Sequence, residues 1–301
     1  MRKISPERPT LPASLLLACM LLIYSTTIHA GENEMQQQYQ QIEARLTTNV
    51  YGIPVYIQSS DQDKTMLGEI YGVIYHPFDI VRDTITAAEN WCAIVPQHLN
   101  IKACTLQRMA ENNQLTFYAG RKFYENADDA YELSYRFEAP RTDDNYFQVI
   151  LSADKGPLGT RDYRIEVEAV PLDGSRTFLH FSYSYKYNFI TAMGTKIYLA
   201  TIGRNKIGFT QTGTDDKGDT VYIEGIRGII ERNTMRYYFA IQSFLDTWQL
   251  EPGERLNARL NTWFDLTEKY PLQLRELDKE EYLQSKQQEH LDQLRIQQQV
   301  H

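Results

Sequence analysis

The 301-residue chain predicts an α+β fold in which a run of short antiparallel strands is closed by a long C-terminal helix. Three observations carry this. Apolar residues alternate with polar ones in short segments from Lys102 to Tyr187, polar turn sequences rather than helices separate those segments, and an apolar stripe at helical spacing runs from Ile226 to Leu250. A curved sheet closed by a long helix leaves a cleft between the two.

The first 30 residues read as a cleavable export signal. Arg2, Lys3 and Arg8 give a positive start, Leu11 to Tyr24 is apolar, and Ile28-His29-Ala30 before Gly31 is cleavage-like. The apolar stretch is shorter than the roughly 20 residues of a spanning helix and contains Pro12. Lipid anchoring at Cys19 is a minor alternative, because Leu16-Leu17-Ala18-Cys19 is a passable lipoprotein box. Residues 31–49 form a polar linker or short helix, with Met35, Tyr39, Ile42 and Leu46 as a weak stripe.

Next come two strands, Val50 to Ile57 and Met66 to Tyr75, separated by the turn-like Ser59 to Asp63. Helical spacing then runs from Asp79 to Val95, with a break expected near Asn90. After Pro96, strands are expected at Lys102–Met109, Leu115–Tyr124, Tyr131–Phe137 and Tyr146–Leu151. The clearest alternation puts Tyr163, Ile165, Val167 and Ala169 on one face, and, beyond the Pro171–Gly174 turn, Leu179, Phe181, Tyr183, Tyr185 and Tyr187. Residues 189–224 read as an insertion, a helix over Phe189 to Arg204 and a hairpin around Asp215-Asp216-Lys217-Gly218. Pro252-Gly253 ends the long helix, a second helix spans Glu254 to Tyr270, and Leu272 to His301 is a charged, Gln-rich polar tail, helical or disordered. The main domain is thus 50–250, with 251–301 as a helical extension and tail.

Net charge is −8, and −10 once Arg2, Lys3, Arg8 and Glu7 leave with the signal. That charge disfavours nucleic acid and acidic lipid surfaces as partners. Cys92 and Cys104 survive processing, and an oxidising compartment lets them form a disulfide; two buried free thiols are the alternative. His98 lies between them, but three ligands without a Cys-x-x-Cys spacing do not make a metal site, and no metal or cofactor is expected.

Two segments resemble a known superfamily. Lys155-Gly156-Pro157-Leu158-Gly159-Thr160-Arg161-Asp162-Tyr163 resembles the proline-to-Arg-Asp-aromatic segment of START lipid-transfer domains. Gly72 to Val81, ending in Trp91, resembles the first strand and helix of the wider START-like (SRPBCC) superfamily. The runs Trp91-Cys92, Gly156 to Tyr163 and Glu231 to Tyr238 are similar to a family of uncharacterised exported proteobacterial proteins. The resemblance covers about Gly68 to Leu250 and implies a helix-grip fold, periplasmic residence and an apolar cavity, with no established activity. The insertion and the C-terminal extension depart from the superfamily's standard form.

Under that implication, Tyr131, Tyr135, Phe137, Tyr163, Tyr183, Tyr185 and Tyr237 are candidate cavity walls, since tyrosine packs its ring while its hydroxyl fixes a polar group. The same rings could equally be plain core. Arg161, Arg232 and Arg236 are candidate contacts for an anionic head, against the alternatives of a structural salt bridge from Arg161 or Asp162 to Glu231, Arg232 or Arg236 of the C-terminal helix, and of a solvated helix face. No catalytic constellation is present: there is no Gly-x-Ser-x-Gly elbow, no phosphate loop and no His-Glu-x-x-His helix, and His76 and His180 have no recognisable partner in the sequence. The favoured reading is an exported protein that binds or carries a lipid or other apolar small molecule. The alternatives are a START-like enzyme of cyclase or hydrolase type, and a non-catalytic scaffold for an envelope protein partner.

Overall fold

The computed structural model describes residues 30–110, 112–188 and 206–300. The leader-like segment before Ala30 and the helix expected over Phe189 to Arg204 lie outside the described residues.

In chain order the elements are α1 (Ala30–Thr47), β1 (Val55–Gln62), β2 (Thr65–Ile74), α2 (Phe78–Ile85), α3 (Ala88–Ile94), β3 (Ile101–Arg108), β4 (Asn113–Ala119), β5 (Tyr131–Thr142), β6 (Phe147–Lys155), β7 (Arg161–Pro171) and β8 (Thr177–Lys186). Then follow β9 (Gln211–Thr214), β10 (Thr220–Tyr222), α4 (Gly225–Thr247), α5 (Pro252–Glu268), the one-turn α6 (Pro271–Leu274) and α7 (Lys279–Gln297). Strands β1 to β8 form one antiparallel sheet in the order β1-β2-β8-β7-β6-β5-β4-β3, and β9 and β10 form a separate hairpin. With α4 packed across β1, β2 and β8, this is the helix-grip arrangement that the START-like resemblance implies.

Two local expectations are corrected. Ser59 to Gln62 belongs to β1, because the chain reverses at Asp63 and Lys64 alone, both in the left-handed region (φ 51° and 62°), the geometry of a two-residue hairpin turn. The helical stretch after Pro77 breaks at Ala87, not near Asn90. Asn90 Nδ2 donates to Thr84 O (2.9 Å) and Trp91 Nε1 to Ile85 O (2.9 Å), so side chains of α3 satisfy carbonyls that end α2.

Alternation in the strands sorts the sheet into two working faces. The inner face, towards α4, carries Leu115, Phe117, Tyr135, Phe137, Val149, Leu151, Ile165, Val167, Leu179 and Phe181, all in one buried cluster with Met235, Tyr238 and Ile241 of α4. Burying each such side chain contributes about 1.5–3 kcal/mol. The outer face of β2 and β8 presents Tyr71 and Phe178, which together with Tyr146, just before β6, are covered by Met35, Ile42 and Leu46 of α1. Gly68 and Gly72 of β2 permit the closest approach of α4; a β-carbon on Gly72 would come within 2.8 Å of Tyr238 Cζ.

A bond joins Cys92 of α3 to Cys104 of β3, with Cα atoms 4.8 Å apart, and it consumes both sulfurs that a zinc site would need. Reduction should lower stability by about 3 kcal/mol, the loop-closure value for so short a separation. Chemical denaturation with and without a thiol reductant measures this, and a difference under about 0.5 kcal/mol would show that packing alone holds α3 to β3.

The Gln-rich end is a packed helix, not a loose tail. Tyr282 of α7 stacks on Trp263 (5.0 Å) and donates to Gln97 O (3.0 Å). Further along α7, Gln293 Oε1 accepts from Cys104 N (2.8 Å), while Gln297 accepts from Leu106 N (2.8 Å) and donates to Leu106 O (2.9 Å). These amides occupy Cys104 N and both backbone groups of Leu106 on the open side of β3, which is an edge strand. Between them, buried Glu289 holds Lys102 (2.7 Å) and Lys286 (2.7 Å).

Candidate functional site

The aromatic face expected from β7 and β8 meets α4 in a continuous set of rings. Phe117 and Tyr135 lie 4.6 Å apart, Tyr135 and Tyr163 6.4 Å, Tyr163 and Tyr185 5.3 Å, and Tyr183 and Tyr237 5.7 Å between centroids. Period-two geometry makes this possible, because Tyr163, Tyr183 and Tyr185 share the inner face of adjacent strands. Tyr237 completes the set from α4, packed on Phe181 at 5.9 Å.

The hydroxyls matter more than the rings. Tyr163 Oη pairs with Thr160 Oγ1 (2.8 Å), whereas the hydroxyls of Tyr135, Tyr183 and Tyr237 make no hydrogen bond to another described residue. Burial raises all four above the usual phenol range, and the neighbouring phenols raise Tyr135 and Tyr183 further. They are therefore neutral donors at any physiological pH. Hydroxyl donors that no described residue engages, set among apolar rings, can hold the oxygen of a ligand whose body lies against the rings.

Beside this group, the His98 ring stacks on Tyr237 at 4.6 Å. Burial first, then Arg236 and Lys286, hold it well below the ordinary imidazole range, so it is neutral. Its Nδ1 accepts from Asn100 N at 3.1 Å.

Other sequence candidates fall elsewhere. Phe137 is buried on the inner face against Trp91 (6.4 Å), and Tyr131, on the same face, is 45 % exposed at the rim, donating to Gly156 O (3.0 Å). Arg161 is exposed and does not join the tyrosines or α4. It pairs with Asp162 (3.5 Å), which also meets Lys186 (3.1 Å). Asp162 takes a left-handed conformation (φ 53°) at an irregularity in β7, so both neighbours face solvent instead of opposite sides.

Arg232 and Arg236 are buried, yet turned from the sheet. Both meet Glu276, which follows α6, and Lys122 (2.7 Å) and Lys206 (2.6 Å) reach the same carboxylate. Burial pushes Glu276 up, but the four cations outweigh it and hold it at about 2. The pair of arginines expected to hold an anionic head thus already has an internal anion.

The histidines also gain partners that no sequence spacing could reveal. His76 Nε2 lies 2.8 Å from Asp246 Oδ1. On the outer face, His180 bridges Glu69 (3.2 Å) and Glu168 (3.1 Å), and Tyr146 donates to Glu168. Burial lowers His180, but hydrogen bonds to the two carboxylates hold it at about 9. The network lies beneath α1, on the opposite side of the sheet from the tyrosines. Sequence reasoning missed it because its members sit on three strands, β2, β7 and β8.

No family model matches the chain, and no curated protein matches it either. Several solved structures are similar in fold. A conserved protein of unknown function from Enterococcus faecalis has 13 % identity and a TM-score of 0.35, covering 74 % of this chain and 97 % of its own. Human StAR-related lipid transfer protein 5 has 10 % identity and a TM-score of 0.35, covering 74 % of this chain and 100 % of its own. The Zhui aromatase/cyclase from Streptomyces sp. R1128 has 11 % identity and a TM-score of 0.31, covering 66 % and 94 %.

Proposed function

We propose that this chain is an exported, periplasmic protein that binds or carries a lipid or other hydrophobic small molecule between the inner sheet face and α4. One observation carries the reading: Tyr135, Tyr183 and Tyr237 bring neutral hydroxyls to one apolar place, and those hydroxyls have no acceptor among the described residues. A core built only for packing could use phenylalanine at these positions and bring no hydroxyl to them. A ligand with a hydroxyl, carbonyl or ether oxygen on an apolar body gives the hydroxyls an acceptor and adds about 25 cal/mol for each Å² it buries. The Cys92–Cys104 bond supports residence in an oxidising compartment, and no described helix is long and apolar enough to cross a membrane.

Native mass spectrometry of the full protein purified from its own envelope tests the proposal. A co-purifying apolar ligand is expected. Its affinity should fall at least tenfold when Tyr135, Tyr183 and Tyr237 are changed together to Phe, which keeps the rings and removes the hydroxyls. No ligand in the native preparation, or unchanged affinity in the triple variant, would refute the site.

A further inference from the structure

A cavity of about 320 Å³ lies at the C-terminal part of α4, beside Phe244, bounded by α3, α5 and α7, and none of the tyrosines lines it. Its walls are partly apolar, with Pro96, Phe244, Leu256 and Leu260. The remaining wall is cationic. Arg259 is 6 % exposed, its guanidinium lies 4.1 Å over the Phe244 ring, and Nη1 donates to Ala93 O at 3.3 Å. Its Nε is buried and has no hydrogen-bond partner.

No counter-charge is paired with Arg259 among the described residues. Arg255 precedes it by one turn of α5, and the neutral ring of His290 faces it from α7. Glu289 is the acid among the lining residues, and its two oxygens are committed to Lys102 and Lys286. A buried guanidinium without a carboxylate is costly, because desolvation is not repaid by an opposite charge.

We propose that this cavity is a second binding site, for a small molecule that carries a carboxylate or similar oxyanion head on a short apolar body. Arg259 would take the head through Nε and a terminal nitrogen, the paired geometry that guanidinium offers a planar oxyanion. Arg255 and His290 would flank it, and Leu256, Leu260 and Pro96 would cover the body. Titration behaviour agrees with a site that favours an anion: burial and then Arg255 lower Arg259 to about 10, and burial and then Arg259 lower His290. This site is independent of the tyrosines and of the function proposed for them.

Titration calorimetry on the full chain, with octanoate, acetate and 1-octanol as probes, tests the assignment. With Tyr135, Tyr183 and Tyr237 changed to Phe, which removes the hydroxyls of the other proposed site, octanoate should bind at one site at least tenfold tighter than either acetate, which lacks the body, or octanol, which lacks the head. Arg259→Met should reduce octanoate binding at least tenfold while leaving the thermal midpoint of the free protein equal or higher, since it removes an unpaired buried charge. Arg259→Lys and Arg255→Gln, which keep a cation at one position each, should give intermediate losses and guard against a misfolded methionine variant. The triple Tyr→Phe variant should bind octanoate as the wild type does. Equal octanoate binding by wild type and the Arg259 variants, or none by the wild type at millimolar concentration, would overturn the proposal.

Discussion

Changing Glu276 to Gln should destabilise the protein by about 3–5 kcal/mol, the range for removing one partner from a buried charge cluster. The carboxylate is 8 % exposed and faces Lys122, Lys206, Arg232 and Arg236. Glutamine keeps the shape but removes the negative charge that Lys122, Lys206, Arg232 and Arg236 share, and burial already lowers Lys122 to about 8. Urea denaturation of the two proteins at neutral pH measures the difference. The pH dependence has a definite sign. Glu276 titrates at about 2 when folded and near 4.5 when unfolded, so its contribution is complete above 4.5 and disappears as pH falls towards 2. That contribution is about 3 kcal/mol, and the wild-type advantage over Glu276→Gln should shrink across this window. A constant difference from pH 6 to pH 2.5 would mean that the cations are compensated elsewhere.

Deleting residues 279–301 should be more damaging still. Loss of α7 exposes Trp263 where Tyr282 stacks, removes Glu289 from buried Lys102, and frees the groups on the edge of β3 that Gln293 and Gln297 occupy. The lost ion pair alone costs about 3–5 kcal/mol, and burial of Tyr282 adds a further few, against a total stability of about 5–15 kcal/mol for a domain. The truncated chain should therefore lack a cooperative thermal transition and should aggregate through the open strand, seen by near-ultraviolet circular dichroism and light scattering. A truncated protein that stays monomeric and unfolds within about 1 kcal/mol of the full chain would show α7 to be dispensable.

Why the sequence reveals the strands but hides α7 follows from what each buries. Tyr163 to Ala169 and Leu179 to Tyr185 bury alternate side chains against a core, and burial on one face leaves a period-two trace. Helix α7 buries Lys286, Glu289 and Asp292 and spends its glutamines on strand backbone. Such contacts leave no apolar period, so the segment reads as solvated. The same reason hides the surroundings of Arg232 and Arg236. A charged stripe on α4 resembles an exposed face until α5 and α6 cover it, and Glu276 lies 40 residues beyond Arg236.

The candidate site was legible in part. Tyr135, Tyr163, Tyr183, Tyr185 and Tyr237 could be named because strand parity and helix phase placed them. Which hydroxyls lack an acceptor depends on partners such as Thr160, and a one-dimensional pattern does not contain that. Arg161 marks the limit of parity reasoning, since one left-handed residue, Asp162, cancels it locally.

The amide bonds from α7 to β3 also set an order of events in time. Cys104 and Gln293 are 189 residues apart, so nearly two thirds of the chain must be synthesised after the strand before its cover exists. Until then a growing chain carries an open strand edge capable of pairing with a neighbour, a hazard characteristic of distant partners. Synthesis of α7 is thus what ends this vulnerable interval, and its docking retires an aggregation template.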